Sequence, residues 1–499
     1  MTGGDAHPSS ADEAAVLAKL RQPHLLSRLA ENSLTVADSL RSNYFNNTAK
    51  FVGHLRGSIR RDTRGKGEAV LRAVAADGME WSDLRDEIVT FIDGGVGEVR
   101  LGGRVPLLLR VGSYRVKTGE RKVSERENFA YYPVILGDLR GGTRSRKDFI
   151  DVVRITAELL GGLSAMERNP DLRVLMFHGP LLYHVGRYTT GGPAHTPWTE
   201  ADVDRFLYQY AGDGARSRSL KNEFLEAARV DTYPAMTDRA DEWAHRRLFE
   251  PLAFMAFLYQ RIISLAKRRS PPVIVAGVVE RGGSNEFSRV LLDEVFRRLR
   301  KSHKTGYFNE IFGRTDLNTS SSLLEALGYT DGLLLAMLME PGQATMTWPM
   351  EKTHALRDGQ IVLPGESYEA PVRFSPLRSD SSFGFPKVNG CYVHVSDTTE
   401  PIRVETFADL EGDQAHGAAS RAYRYARLLP GYGFPVGLDV VDKYAHVPRW
   451  MTDAYGKLIR LHLGTSLQSG EINDKQMRQV LLQAIYMTHR DWLFRPEVM

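Results

Sequence analysis

The chain has 499 residues, 42% hydrophobic and 25% charged, the balance of a folded globular protein of about two to four domains. Lys and Arg number 65 against 61 Asp and Glu, a net charge of +4, which excludes a histone-like polycation and leaves any nucleic-acid binding to local basic patches. A single cysteine, Cys391, excludes an internal disulfide framework and a multi-cysteine zinc cluster, so a metal would need Asp, Glu, His or carbonyl ligands.

Residues 1–15 are polar with no apolar signal core, and the longest apolar stretches, Val273–Val279 and Leu333–Leu338, fall far short of the ~18 residues of a membrane span. A cytoplasmic protein is expected. Leu17, Leu20, Leu25, Leu29 and Leu34 then recur at near-helical spacing, so residues 1–80 are read as a flexible leader and a helical region. From Glu87 the pattern changes to strand-like runs at Ile88–Ile92, Val105–Val111 and Tyr131–Leu136, three sequential strands suited to an antiparallel meander.

An amphipathic helix over Lys147–Arg168 and a short buried strand, Arg173–Phe177, follow. Strand, strand, strand, helix, strand is the opening order of a ribonuclease-H-like α/β fold, and is compatible with other α/β folds too. A helical stretch at Trp243–Arg268, a strand at Pro272–Val279 and a helix at about Asn285–Leu299 continue the alternation. The apolar run after Thr330-Asp331-Gly332 leads into strand formers at Gly390–Ser396 and Pro401–Glu405. Helices are expected at Gly417–Leu429, after the Gly431–Pro435 turn, and twice within 450–499. The fold class is thus a mixed α/β sheet core at 81–449 flanked by helices, with helical additions at both ends.

Four places carry candidate chemistry. Asp93 leaves a buried strand into Gly94-Gly95, where a carboxylate is costly unless paired or bound to a cation; its plain alternative is a turn aspartate. Glu158 lies inside the amphipathic helix, on one face with Asp151 and Ile155. His178 ends the strand Arg173–Phe177 and precedes Gly179-Pro180-Leu181-Leu182. Asp439, Asp442 and His446 are spaced to stack on one side of a helix, which can offer two ligands to a divalent ion.

The order Ile-Asp-Gly-Gly, helix glutamate, His-Gly-Pro-Leu-Leu, Val-Ala-Gly-Val-Val-Glu-Arg, Thr-Asp-Gly-Leu-Leu, Pro-Ile-Arg-Val-Glu and Gly-Phe-Pro-Val-Gly-Leu-Asp-Val-Val-Asp resembles the NurA nucleases over about residues 85–448. The resemblance implies a ribonuclease-H-like, Mn²⁺-dependent DNA nuclease that forms a homodimer and works with a HerA-like hexameric ATPase in DNA end processing or antiviral defence. It carries the family's first aspartate to Asp93 and its helix glutamate to Glu158. Where the family has a strand-end aspartate this chain has His178, and where the family has histidine it has Asp442. The exchange keeps three carboxylates and one imidazole, a donor set suited to Mn²⁺ and possible for Mg²⁺. Glu280 and Arg281 stand where the family carries lysine, so Arg281 is the candidate for a phosphate contact.

Arg140, Arg144, Arg146 and Lys147, with the basic runs Arg115–Arg126 and Arg297–Lys304, are candidates for steering DNA, and Tyr183, Tyr188 and Phe308 for stacking on bases. No Gly-x-x-x-x-Gly-Lys-Ser/Thr sequence occurs, so ATP-driven movement would come from a partner. Two functional consequences stay open: an active nuclease, or a DNA-binding scaffold for the ATPase whose altered ligands no longer cleave.

Overall fold

The computed structural model describes residues 23–62, 71–73, 81–99, 107–136, 143–182, 200–230, 240–248, 251–304, 306–350, 356–357, 360–361, 386–410 and 414–486. The leader, Leu17, Leu20, Arg140, Tyr183 and Tyr188 lie outside the described residues. The chain divides into a smaller unit of residues 1–69 and 285–330 and a larger one of residues 70–284 and 331–499.

The described part of the smaller unit is helical, with Pro23–Ser39 and Asn46–Asp62 joined by a π-helical turn, and with Glu286–Lys301, Tyr307–Phe312 and Ser320–Leu327. Its centre is aromatic: Phe51, fully buried, meets Phe308 edge-on at 5.4 Å, and Phe308 is itself fully buried, a core residue and not one that can stack on bases. Nearby, the hydroxyls of Thr48 and Tyr329 share a hydrogen bond of 2.6 Å. Leu29 and Leu34 of the predicted leucine stripe are exposed.

In the larger unit the strands are β1 (Leu71–Ala73), β2 (Ile88–Glu98), β3 (Leu107–Lys117), β4 (Glu127–Leu136), β5 (Leu172–His178), β6 (Ile274–Val279), β7 (Gln343–Thr345), β8 (Trp348–Pro349), β9 (Leu356–Arg357), β10 (Gln360–Ile361), β11 (Val388–Val393) and β12 (Ile402–Phe407). Among the described residues ten of them form one mixed sheet in the order β1-β7-β11-β12-β6-β5-β2-β3-β4, with β8 beside β11 and with β9 and β10 as a separate ribbon. The meander β2-β3-β4 is antiparallel, as the sequence predicts, while β2 with β5 and β5 with β6 are parallel.

The central strands are apolar on both faces because helices cover both. On β5 only Arg173 and His178 escape full burial. One face is crossed by α1 (Thr143–Arg168), which packs along α2 (Pro251–Arg268); Gly161 of α1 brings its backbone against Val111 and Ile92. The other face holds α3 (Gln414–Ala426) and α4 (Val436–Ala445), whose Ala422, Leu438 and Val441 join Phe91, Val174 and Met176 in one cluster.

One element differs from the sequence reading. Asp93-Gly94-Gly95 is not a strand exit: β2 continues through it to Glu98. The apolar run after Thr330, too short for periodicity to separate helix from strand, forms a helix, Asp331–Leu338. No described helix is long and apolar enough to cross a membrane.

Candidate active site

β2 and β5 run side by side and parallel, with Ile92 opposite Phe177, so the next residues, Asp93 and His178, meet where β5 and its pairing with β2 end. Asp93 is buried; its Oδ1 accepts a hydrogen bond from the Gly94 amide at 2.8 Å and lies 3.8 Å from His178 Nδ1. Phe434, in the turn before α4, packs edge-on against the His178 ring at 5.4 Å.

The two glycines explain how other elements reach this point. A Cβ on Gly94 would stand 2.6 Å from Glu158 Oε1, so the missing side chain is the space that the α1 carboxylate occupies. A Cβ on Gly95 would stand 2.1 Å from the carbonyl oxygen of Ala445, so the same absence admits the end of α4 on the opposite face. The Asp-Gly-Gly motif is therefore a packing requirement within a strand.

The electrostatics are those of crowded acids. Burial, the Glu158 carboxylate and a hydrogen-bonded, like-charged Asp442 push the Asp93 carboxyl up to about 9, against the opposing pull of the Gly94 amide. Burial also raises Glu158, although the Arg154 guanidinium one turn earlier on α1 hydrogen-bonds to it and favours its charge. For His178 burial dominates and lowers the imidazole below its ordinary value, more than Asp442, Glu280 and Asp439 raise it. A neutral imidazole results, the form that binds metals.

Of the predicted residues, Asp93, Glu158, His178 and Asp442 thus converge from β2, α1, β5 and α4. Asp439 is tied to Lys443 at 2.8 Å, and His446 caps the C-terminus of α4 instead of extending its ligand face. Arg281 is exposed and lies 3.8 Å from Glu280. Arg144, Arg146 and Lys147 lie on the first turns of α1. Arg154 was not singled out from the sequence, although its i, i+4 spacing to Glu158 marks it as a neighbour.

Among the described residues no three His, Cys, Asp or Glu side chains stand close enough to form a finished cation cage. The donor chemistry nonetheless fits a hard divalent ion: two buried carboxyl groups and a third facing them, beside a neutral imidazole, are oxygen and nitrogen ligands whose charged form a cation would favour.

No protein-family model matches the chain, and no curated protein sequence does. Solved structures resemble it distantly. The NurA nuclease from Sulfolobus solfataricus is 12% identical over 87% of this chain and 98% of that one, with a TM-score of 0.43. A NurA solved with manganese is 12% identical over 83% and 96%, with a TM-score of 0.36. One bound to dAMP and manganese is 10% identical over 73% and 85%, with a TM-score of 0.32. At these values no residue's role transfers from those proteins to this chain.

Proposed function

We propose that this chain is a divalent-metal-dependent DNA nuclease of the NurA type, a homodimer acting with a HerA-like hexameric ATPase on DNA ends or single strands. The observation that carries the reading is the convergence of Asp93, Glu158, His178 and Asp442 from four separate elements on one end of the sheet. Buried acids are destabilising without a compensating cation, and chains retain such sets where a site needs them.

Bound Mn²⁺ or Mg²⁺ would supply water activation and offset the charge that builds on the phosphodiester. Asp93 and Glu158 would hold the ion from the floor of the site, and His178 and Asp442 from its rim. Neutral His178 offers a nitrogen without adding a proton to the competition. Arg154, beside Glu158, stands where it can neutralise that carboxylate or meet a phosphate oxygen. Arg281 and the basic start of α1 are the chain's candidates for drawing the polyanion past its own acids.

The test is DNA cleavage by the full chain with and without Mn²⁺, alone and with the cognate ATPase, alongside Mn²⁺ binding measured directly. Metal-dependent cleavage that disappears in Asp93→Asn is expected. Binding of DNA and ATPase with no cleavage under any metal would favour the scaffold reading instead.

A further inference from the structure

The turn after His178 is fastened from three sides. The Gly179 amide donates to the carbonyl of Val278 at 2.8 Å. The Leu181 amide donates to Glu405 Oε2 at 2.8 Å, and the Leu181 carbonyl accepts from the Tyr259 hydroxyl, also at 2.8 Å. Beneath it, Gly277 of β6 has no Cβ because one would lie 2.4 Å from the Leu181 amide nitrogen and 2.8 Å from the Gly179 carbonyl oxygen. The turn therefore lies directly on the β6 backbone.

Glu405 is fully buried, which is costly for a carboxylate. It is held in turn: Arg403 Nε donates to its Oε1 at 2.9 Å. Arg403 also hydrogen-bonds to Tyr392, whose hydroxyl donates to Asp331 Oδ2 at 3.0 Å. A chain of buried polar groups thus ends on the main chain of a single turn, whose buried Leu181 amide and carbonyl need partners from within the protein.

We propose that Glu405 and Tyr259 are positioning residues: by clamping Gly179–Leu181 they fix the backbone that carries His178 and hold its imidazole beside Asp93. The inference rests on the reading of His178 as a metal ligand. The physical argument is leverage. His178 is the last residue of β5, so the strand before it and the turn after it both set where its ring stands, beside Phe434. Groups that orient a ligand from behind typically change metal affinity by about 10–100-fold.

The experiment uses the full chain with two readouts, Mn²⁺ affinity by calorimetric or electron-paramagnetic titration, and hydrogen exchange of the segment 178–182. Glu405→Ala and Tyr259→Phe should each weaken Mn²⁺ binding, Glu405→Ala by about tenfold, and should speed exchange in that segment. Glu405→Gln, whose amide oxygen still accepts from Leu181 although its NH2 cannot accept from Arg403, should bind Mn²⁺ more tightly than Glu405→Ala. Asp331→Asn, at the far end of the buried chain, should cost stability and leave Mn²⁺ affinity at the wild-type level. Wild-type affinity or unchanged exchange in a folded Glu405→Ala overturns the proposal, as does an Asp331→Asn variant that loses as much affinity. If Glu405→Ala does not fold, Tyr259→Phe, which removes one hydroxyl, decides by the same criteria. A wild-type chain that binds no Mn²⁺ would instead overturn the metal reading, while the exchange data would still report whether the clamp holds the turn.

Discussion

Asp93 holds its proton far into the alkaline range when no cation is present, so the folded chain binds a proton that the unfolded chain has released. The unfolded carboxyl titrates near ~3.9, the folded one at about 9. Between those values the native state binds more protons, and this group's contribution to stability falls as pH rises. Asp93→Asn removes that penalty: the metal-free variant should melt a few degrees above wild type at pH 8, with the gap closing towards pH 4, while cleavage drops by orders of magnitude. Scanning calorimetry across pH checks the first outcome and a cleavage assay the second. The exchanged pair offers a sharper measurement. His178 lies 3.8 Å from Asp93 and Asp442 hydrogen-bonds to it, so both address the same carboxylate. His178→Asp and Asp442→His should each weaken Mn²⁺ binding, and the double exchange, which restores three carboxylates and one imidazole, should bind more tightly than either. Purely additive effects in this cycle would separate the two residues into different sites.

At the scale of elements, β2 works as a strand because its glycines leave room for what crosses it. Gly95→Ala sets a Cβ against the Ala445 carbonyl and must push the end of α4 outwards, a cost of about 1–3 kcal/mol for overpacking. Because α4 carries Asp442, Mn²⁺ affinity should fall together with the melting temperature. Gly53→Ala, in a helix where a Cβ meets nothing within 4 Å, should stabilise by about 0.5–1 kcal/mol and serves as the comparison in the same denaturation series. This contrast also marks what the sequence makes legible. The meander, α1 and β5 were readable because their apolar periodicity is local. Asp-Gly-Gly reads as a strand exit because glycine and aspartate are poor strand formers, and only the helices packed on either face explain why the strand runs on. Asp93 and Glu158 stood out as acids in apolar settings. Glu405 did not stand out as a clamp, since its partner Leu181 is 224 residues away and no spacing announces such a contact.

Across the whole molecule, the four residues of the proposed site and both proposed positioning residues belong to the larger unit, whereas Phe51 anchors the smaller one. Phe51→Ala should cost about 3–5 kcal/mol, seen as an earlier melting transition for the smaller unit, with Mn²⁺ affinity unchanged by titration calorimetry. The order of synthesis sets one more property. Asp93, Glu158 and His178 leave the ribosome first, and β12, which pairs with β6 and carries Glu405, and then α4, which carries Asp442, follow much later. Domains fold as their parts emerge, N-terminal first. A growing polypeptide therefore carries an unfinished site until α4 has emerged, and a message cut short before α4 makes a protein that lacks Asp442 and, with it, one group of the proposed site.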